Sequence, residues 1–136
     1  MELVINTNIV FSALVRDSLT RFLICNPTLV LYAPETMISE LEKHEEEILK
    51  RSGLSKDGWG KLTSILFSNV RLVSKEKIAP FLKKALEFSP DPEDAPFFAL
   101  CLFKGISLWS NDKALKRQSM VKVFSTEEII NILGLK

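Results

Sequence analysis

Cysteine is scarce in this chain. Its two residues, Cys25 and Cys101, lie in the apolar settings Phe22-Leu23-Ile24-Cys25 and Leu100-Cys101-Leu102. Two isolated thiols with no short Cys or His spacing exclude a zinc signature and a disulfide framework. Both read as buried free thiols of a reducing compartment. Histidine is scarcer still: the single His44 sits in a charged run and reads as a solvated residue rather than a catalytic base. An excess of one charge sign is also missing, with 18 basic against 17 acidic residues. Nothing global therefore commits the surface to nucleic acid, although a local basic rim remains compatible with this balance. No apolar run approaches the ~18 residues of a membrane span. The amino terminus, with Glu2 leading into a predicted strand, lacks the features of a signal peptide. The expected location is the cytoplasm.

What is present fits a folded domain. The 136 residues are 46% hydrophobic and 26% charged, enough apolar material for a substantial core. Repeats, linkers and low-complexity segments are absent, so residues 1–136 are expected to form a single domain.

Strand and helix patterns alternate, which favours an α/β domain with a parallel sheet. Leu3 to Ile5 reads as the first strand, with Thr7 and Asn8 supplying oxygens suited to capping the next helix. Ser18 to Cys25 continues helically until Asn26-Pro27 breaks it. Leu29 to Tyr32 is the second strand. Pro34 opens a long helix from about Glu35 to Gly53, whose charged stretch reads as a solvated face. Ser55 begins a helix with Leu62, Ile65 and Leu66 on its apolar side. Val70 to Val73 is the third strand, and a helix follows from about Lys75 to Phe88. Pro92 and Pro96 tolerate only first-turn positions, so the next helix is expected to start near Asp94 and to end at Gly105. Ile106 to Trp109 and Val121 to Phe124 are the last two strands, and Ser125-Thr126-Glu127-Glu128 is a capping-box start for the final helix.

Polar groups recur where such sheets place their ligand crevices, at the carboxyl ends of strands. Asn6 follows Leu3-Val4-Ile5, and Ser110-Asn111-Asp112-Lys113 follows the Ile106 to Trp109 strand. Glu40 and Asp94 lie in the segments after the second and third strands. Clustered carboxylates suit hard divalent ions such as magnesium or manganese, which bind oxygen. Such ions can hold an attacking water and a leaving phosphodiester oxygen.

The local contexts add specificity. Val4-Ile5-Asn6-Thr7-Asn8-Ile9-Val10-Phe11 resembles the opening of a PIN-domain ribonuclease, in which a strand is followed by Asp-Thr-Asn and an apolar helix. Met37-Ile38-Ser39-Glu40-Leu41 resembles the family's second motif and Asp91-Pro92-Glu93-Asp94-Ala95-Pro96-Phe97-Phe98 its third. Leu108-Trp109-Ser110-Asn111-Asp112 resembles the fourth, a strand ending in Thr or Ser, any residue, then Asp. The resemblance spans essentially the whole chain. It implies a three-layer α/β/α fold on a five-stranded parallel sheet, the first strand central beside the fourth. It also implies an acidic quartet at Asn6, Glu40, Asp94 and Asp112, holding Mg2+ or Mn2+, with Ser110 as an accessory hydroxyl. The implied activity is cleavage of single-stranded RNA by metal-activated water. A toxin–antitoxin role with a cognate antitoxin protein, and a homodimer, are implied by resemblance alone.

The departure is Asn6, where the family has Asp. An amide carries no formal charge, so weak metal binding and reduced hydrolysis are expected. Each member of the quartet also has an ordinary reading. Asn6, Asp94 and Asp112 can be helix caps, and Glu40 can be one more surface carboxylate. Asp91 and Glu93 are near enough to replace Asp94. Trp59 and Trp109 read as packing residues. Asn111, Lys113, Lys116 and Arg117 join Ser110 as candidate substrate contacts, the cations either touching phosphates or decorating a solvated loop. The alternative function is a catalytically impaired PIN fold that binds RNA or protein. A phosphatase on a similar sheet would need a nucleophilic Asp after the first strand, which Asn6 cannot supply.

Overall fold

The computed structural model describes residues 1–15 and 18–135. Five strands form one sheet: β1 (Glu2–Ile5), β2 (Val30–Pro34), β3 (Val70–Val73), β4 (Ser107–Trp109) and β5 (Val123–Phe124), in the order β3-β2-β1-β4-β5. Every pairing is parallel, with Val4 opposite both Tyr32 and Leu108. A strand buried on both faces needs a continuous apolar run. Leu3, Val4 and Ile5 of β1 supply one, each fully buried.

Among the described residues eight α-helices flank the sheet, giving the expected three layers. On one side α6 (Lys75–Phe88) packs on α7 (Ala95–Lys104), which in turn lies against β1, β2 and β4. Elsewhere α1 (Thr7–Val15) gathers α2 (Ser18–Ile24), α3 (Thr36–Lys43), α4 (Glu45–Ser52) and α5 (Lys56–Phe67). The chain closes with α8 (Thr126–Leu133), whose Ser125 and Glu128 form the expected reciprocal capping box. Phe97, Phe98 and Trp109 are the bulkiest wholly buried side chains. Burial of each large apolar side chain stabilises the fold by roughly 1.5–3 kcal/mol.

Several expectations are corrected. The long helix after the second strand is two helices, broken at His44, whose backbone (φ −105°, ψ 11°) leaves the helical range. Pro34 ends β2 instead of opening a helix: it stands opposite Val73 of β3, and the next residue, Glu35, donates its amide to the Val73 carbonyl at 3.0 Å. The fifth strand is shorter than the Val121 to Phe124 run. The Gln118 side chain accepts from the Val121 amide and donates to its carbonyl, which takes the place of a strand ladder. Cys25 is exposed beyond the end of α2, with the Asn69 amide 3.6 Å from its sulfur; only Cys101 is buried. Ile65, expected inside, is 56% exposed, while the adjacent Leu66 is buried. Gly105 does end α7, in a left-handed conformation (φ 67°) that glycine adopts without a Cβ penalty. No helix among the described residues is long and apolar enough to cross a membrane.

Candidate functional site

Strand order reverses at β1: the chain moves outward through β2 and β3, then returns to β4 on the other side. Open parallel sheets carry their ligand crevice at such a point, outside the carboxyl ends of the strands. Asn6 leaves β1 there, with its backbone N–H bonded to the Trp109 carbonyl at the end of β4 (3.0 Å). A cavity of about 380 Å³ opens beside it. Asn6, Glu40, Asp94 and Asp112, from four segments far apart in sequence, all line this cavity.

Each is held differently. Asn6 is buried, and its Oδ1 accepts the Asn8 amide at 3.0 Å, so it does cap α1. Its Nδ2 donates across to Asp94 Oδ1 at 3.4 Å. Thr7, one residue on, donates its hydroxyl to Glu40 Oε2 at 3.0 Å instead of capping the helix. Glu40 is therefore a half-buried, oriented group on α3 rather than a free surface carboxylate.

Asp94 stands where α7 begins but its side chain caps nothing; Asp91 caps the preceding 3-10 turn by accepting the Glu93 amide at 3.0 Å. The register expected from the two prolines is thereby met. Asp112 is exposed, and its Oδ1 accepts the Ala114 amide at 3.0 Å. Its own amide donates to Oγ of the buried Ser110 at 3.1 Å, which fixes the turn after β4.

The field in this cavity is negative. Burial pushes the Asp94 carboxyl from an ordinary 3.8 up to about 6, against the lowering effect of the Asn6 hydrogen bond; Asp91, Asp112 and Glu40 raise it further. Glu40 is raised by burial and by Glu93, opposed by the Thr7 bond and by Lys43 and His44. Carboxylates that repel one another at a partly buried rim are a donor set suited to a hard divalent cation. The chemistry of the residues fits such an ion. The side chains are not drawn together in advance, since no three His, Cys, Asp or Glu groups among the described residues stand close enough to hold a metal.

The candidate substrate contacts divide. Ser110, Asn111, Lys113 and Lys116 line a second cavity of about 490 Å³ that shares Asp112 with the first. Asn111 Oδ1 accepts the Thr126 amide at 2.8 Å and so ties the start of α8 to the β4 turn. Lys116 is ion-paired with Glu128, whose carboxyl that bond and the Ser125 amide lower to about 2. Arg117 is exposed and lines neither cavity. Trp109 is wholly buried and donates its Nε1–H to Thr126 Oγ1 at 3.0 Å, in keeping with a packing role.

The sequence reading missed the far wall of the first cavity. Phe11, His44 and Glu47 line it as well. Helical spacing gave only part of the signal: Phe11 is four residues past Thr7 on α1, whereas the break at His44 separates Glu40 on α3 from Glu47 on α4. His44, although exposed, faces the carboxylate cavity.

A family model described as PIN domain matches residues 4–131. No curated protein matches the chain.

Proposed function

For this chain, which belongs to the PIN-domain family, we propose endonucleolytic cleavage of single-stranded RNA at the β1/β4 crevice. The family fold is nuclease-type, and members commonly bind RNA and use divalent metal ions. The single observation carrying the proposal is that Asn6, Glu40, Asp94 and Asp112 line one cavity at the sheet's switch point.

In this reading Glu40, Asp94 and Asp112 would hold Mg2+ or Mn2+, with Asn6 as a neutral neighbour. When bound, such an ion lowers the pKa of a coordinated water and screens phosphate charge. The chain's own contribution is orientation. Thr7 points Glu40 into the cavity, Asn6 steadies Asp94, and Ser110 fixes the turn that carries Asp112. Lys113, on the rim of the adjoining cavity, supplies positive charge for the RNA backbone. A homodimeric toxin with a protein antitoxin is the further extension of this reading, supported by the family resemblance only.

The Asn6–Asp94 bond favours a second reading. An amide donor relieves Asp94 without any cation, as suits a PIN fold that binds RNA with little or no turnover. Incubation with unstructured RNA and manganese, for the parent and Asn6→Asp, separates the two. Cleavage by the parent supports the nuclease; cleavage only by Asn6→Asp supports the binding module. Cleavage by neither removes the catalytic reading.

A further inference from the structure

The wall opposite the carboxylates has a different chemistry. The rings of Phe11 and His44 meet edge to face, with centroids 6.4 Å apart and planes at 80°. The Arg51 guanidinium lies 5.3 Å from the centre of the Phe11 ring. Glu47 anchors this group, 3.3 Å from Arg51 Nη1 and 3.9 Å from His44 Nδ1. The arrangement joins two helical segments, since Phe11 comes from α1 while Glu47 and Arg51 come from α4. Phe11 is partly buried against the core, whereas His44 and Arg51 each leave 56% of their side chains in solvent. A ring backed by the fold thus stands beside two accessible planar groups, and Phe11 and His44 line the same cavity as the carboxylates.

Resting on the RNA reading above, we propose that His44, braced edge to face on Phe11, seats one unpaired nucleobase on its exposed ring beside the phosphate that faces the carboxylates, with the Arg51 guanidinium over Phe11 as the neighbouring planar contact. Planar faces are what bases stack on, and stacking tolerates any base because each has a π face. The carboxylate end repels a phosphate, so contact with the sugar-phosphate backbone cannot by itself draw RNA into this cavity. The aromatic rings of this wall supply a stacking attraction that does not depend on the phosphate charge. It also selects against duplex, because a base in a helix cannot leave its stack to lie on a protein ring without unpairing.

Anisotropy of a labelled oligouridylate and of an abasic ribose-phosphate strand of equal length, at low salt with EDTA, tests this without turnover. The parent should hold the RNA about tenfold more tightly than the abasic strand, as expected for one stacked base. His44→Ala and Phe11→Leu should each shrink that preference severalfold, through weaker binding of the RNA. His44 is exposed, so its variant decides the matter even if Phe11→Leu disturbs packing. A parent that binds both strands equally, or variants that keep the full preference, would overturn the seat and leave the RNA reading standing. A parent that binds neither strand, in EDTA or with millimolar manganese in its place, would overturn both.

Discussion

Asn6 reaches across the crevice and donates its amide Nδ2 to Asp94 Oδ1 at 3.4 Å, a bond that an aspartate at that position could make only by taking up a proton. With Asp at both places, two carboxylates would face each other, and a proton or a cation would be needed to reconcile them. Asn6→Asp is therefore expected to destabilise the metal-free protein and to tighten manganese binding. One added charge ~4 Å from a divalent ion is worth roughly 2 kcal/mol in a water-like dielectric and up to ~8 at an effective value near 20, both before the ion's own dehydration. The net effect should lie near the lower figure, about a tenfold or greater gain in affinity by calorimetry. Unchanged manganese affinity would remove position 6 from the centre.

Asp94 makes stability depend on pH. Its folded carboxyl is raised to about 6 from an ordinary 3.8, chiefly by burial, so the folded state binds this proton more tightly than the unfolded chain does. The resulting stabilisation is complete below the ordinary value and is lost as pH rises through about 6. Glu40, also raised, contributes in the same direction. Denaturant midpoints measured in EDTA should fall between about pH 4 and pH 6, and Asp94→Asn should flatten that decline. Millimolar manganese should oppose the decline in the parent, because the ion binds the deprotonated form. A parent whose midpoints are flat across this window would contradict the assignment.

The sheet was legible because each buried strand is a continuous apolar run, and β1, Leu3 to Ile5, cannot be placed elsewhere. The quartet was legible from motif order, and its four positions do line one cavity. What sequence spacing could not reveal was how each polar group is partnered. Thr7 and Asn6 were both read as capping oxygens; the fold gives the cap to Asn6 and turns the Thr7 hydroxyl toward Glu40. The aromatic wall was hidden for a related reason. Glu42 to Glu47 reads as a solvated face, and only the break at His44, with α1 packed alongside, turns part of it into a cavity lining.

Thr7→Val isolates the Glu40 contact, since valine keeps the shape and loses the donor. The bond lowers the Glu40 carboxyl, so its removal should let that group rise further and let protons compete better with metal. A half-exposed hydrogen bond to a carboxylate contributes about 1 kcal/mol, below the usual range for charged partners. Manganese affinity is expected to fall about severalfold at neutral pH and more steeply toward pH 5. Equal affinity at both pH values would mean that Glu40 stands outside the metal's reach.

Asp112 has two roles that substitution can separate. Its Oδ1 caps the short 3-10 turn through the Ala114 amide, and its charge faces the carboxylate cavity. Asn retains cap geometry and loses the charge, whereas Ala loses both. Asp112→Asn should keep the melting temperature close to the parent's while weakening manganese binding. Asp112→Ala should weaken it equally and also cost about 1 kcal/mol of stability. Were Asp112→Asn to retain full affinity, Asp112 would be a cap alone.

Lys113 and Lys116 line the same cavity, yet only Lys116 has an ion-pair partner among the described residues, Glu128. Both members of that pair are well exposed, 43% and 39%, so solvent screens it and its contribution to stability is about 0–1 kcal/mol. That contribution is present above an ordinary 4.5 and fades as pH falls toward the lowered value of about 2 for Glu128. A paired lysine adds little net charge for a phosphate, whereas Lys113 brings a whole one. Lys113→Ala should therefore lower the slope of log affinity against log salt by about 0.7, the release expected for one single-strand phosphate contact. Lys116→Ala should change that slope less and remove the Glu128 pair's contribution above pH 4.5, and with it that contribution's loss on acidification. Equal slopes for the two variants would mean that RNA draws Lys116 away from Glu128 on binding.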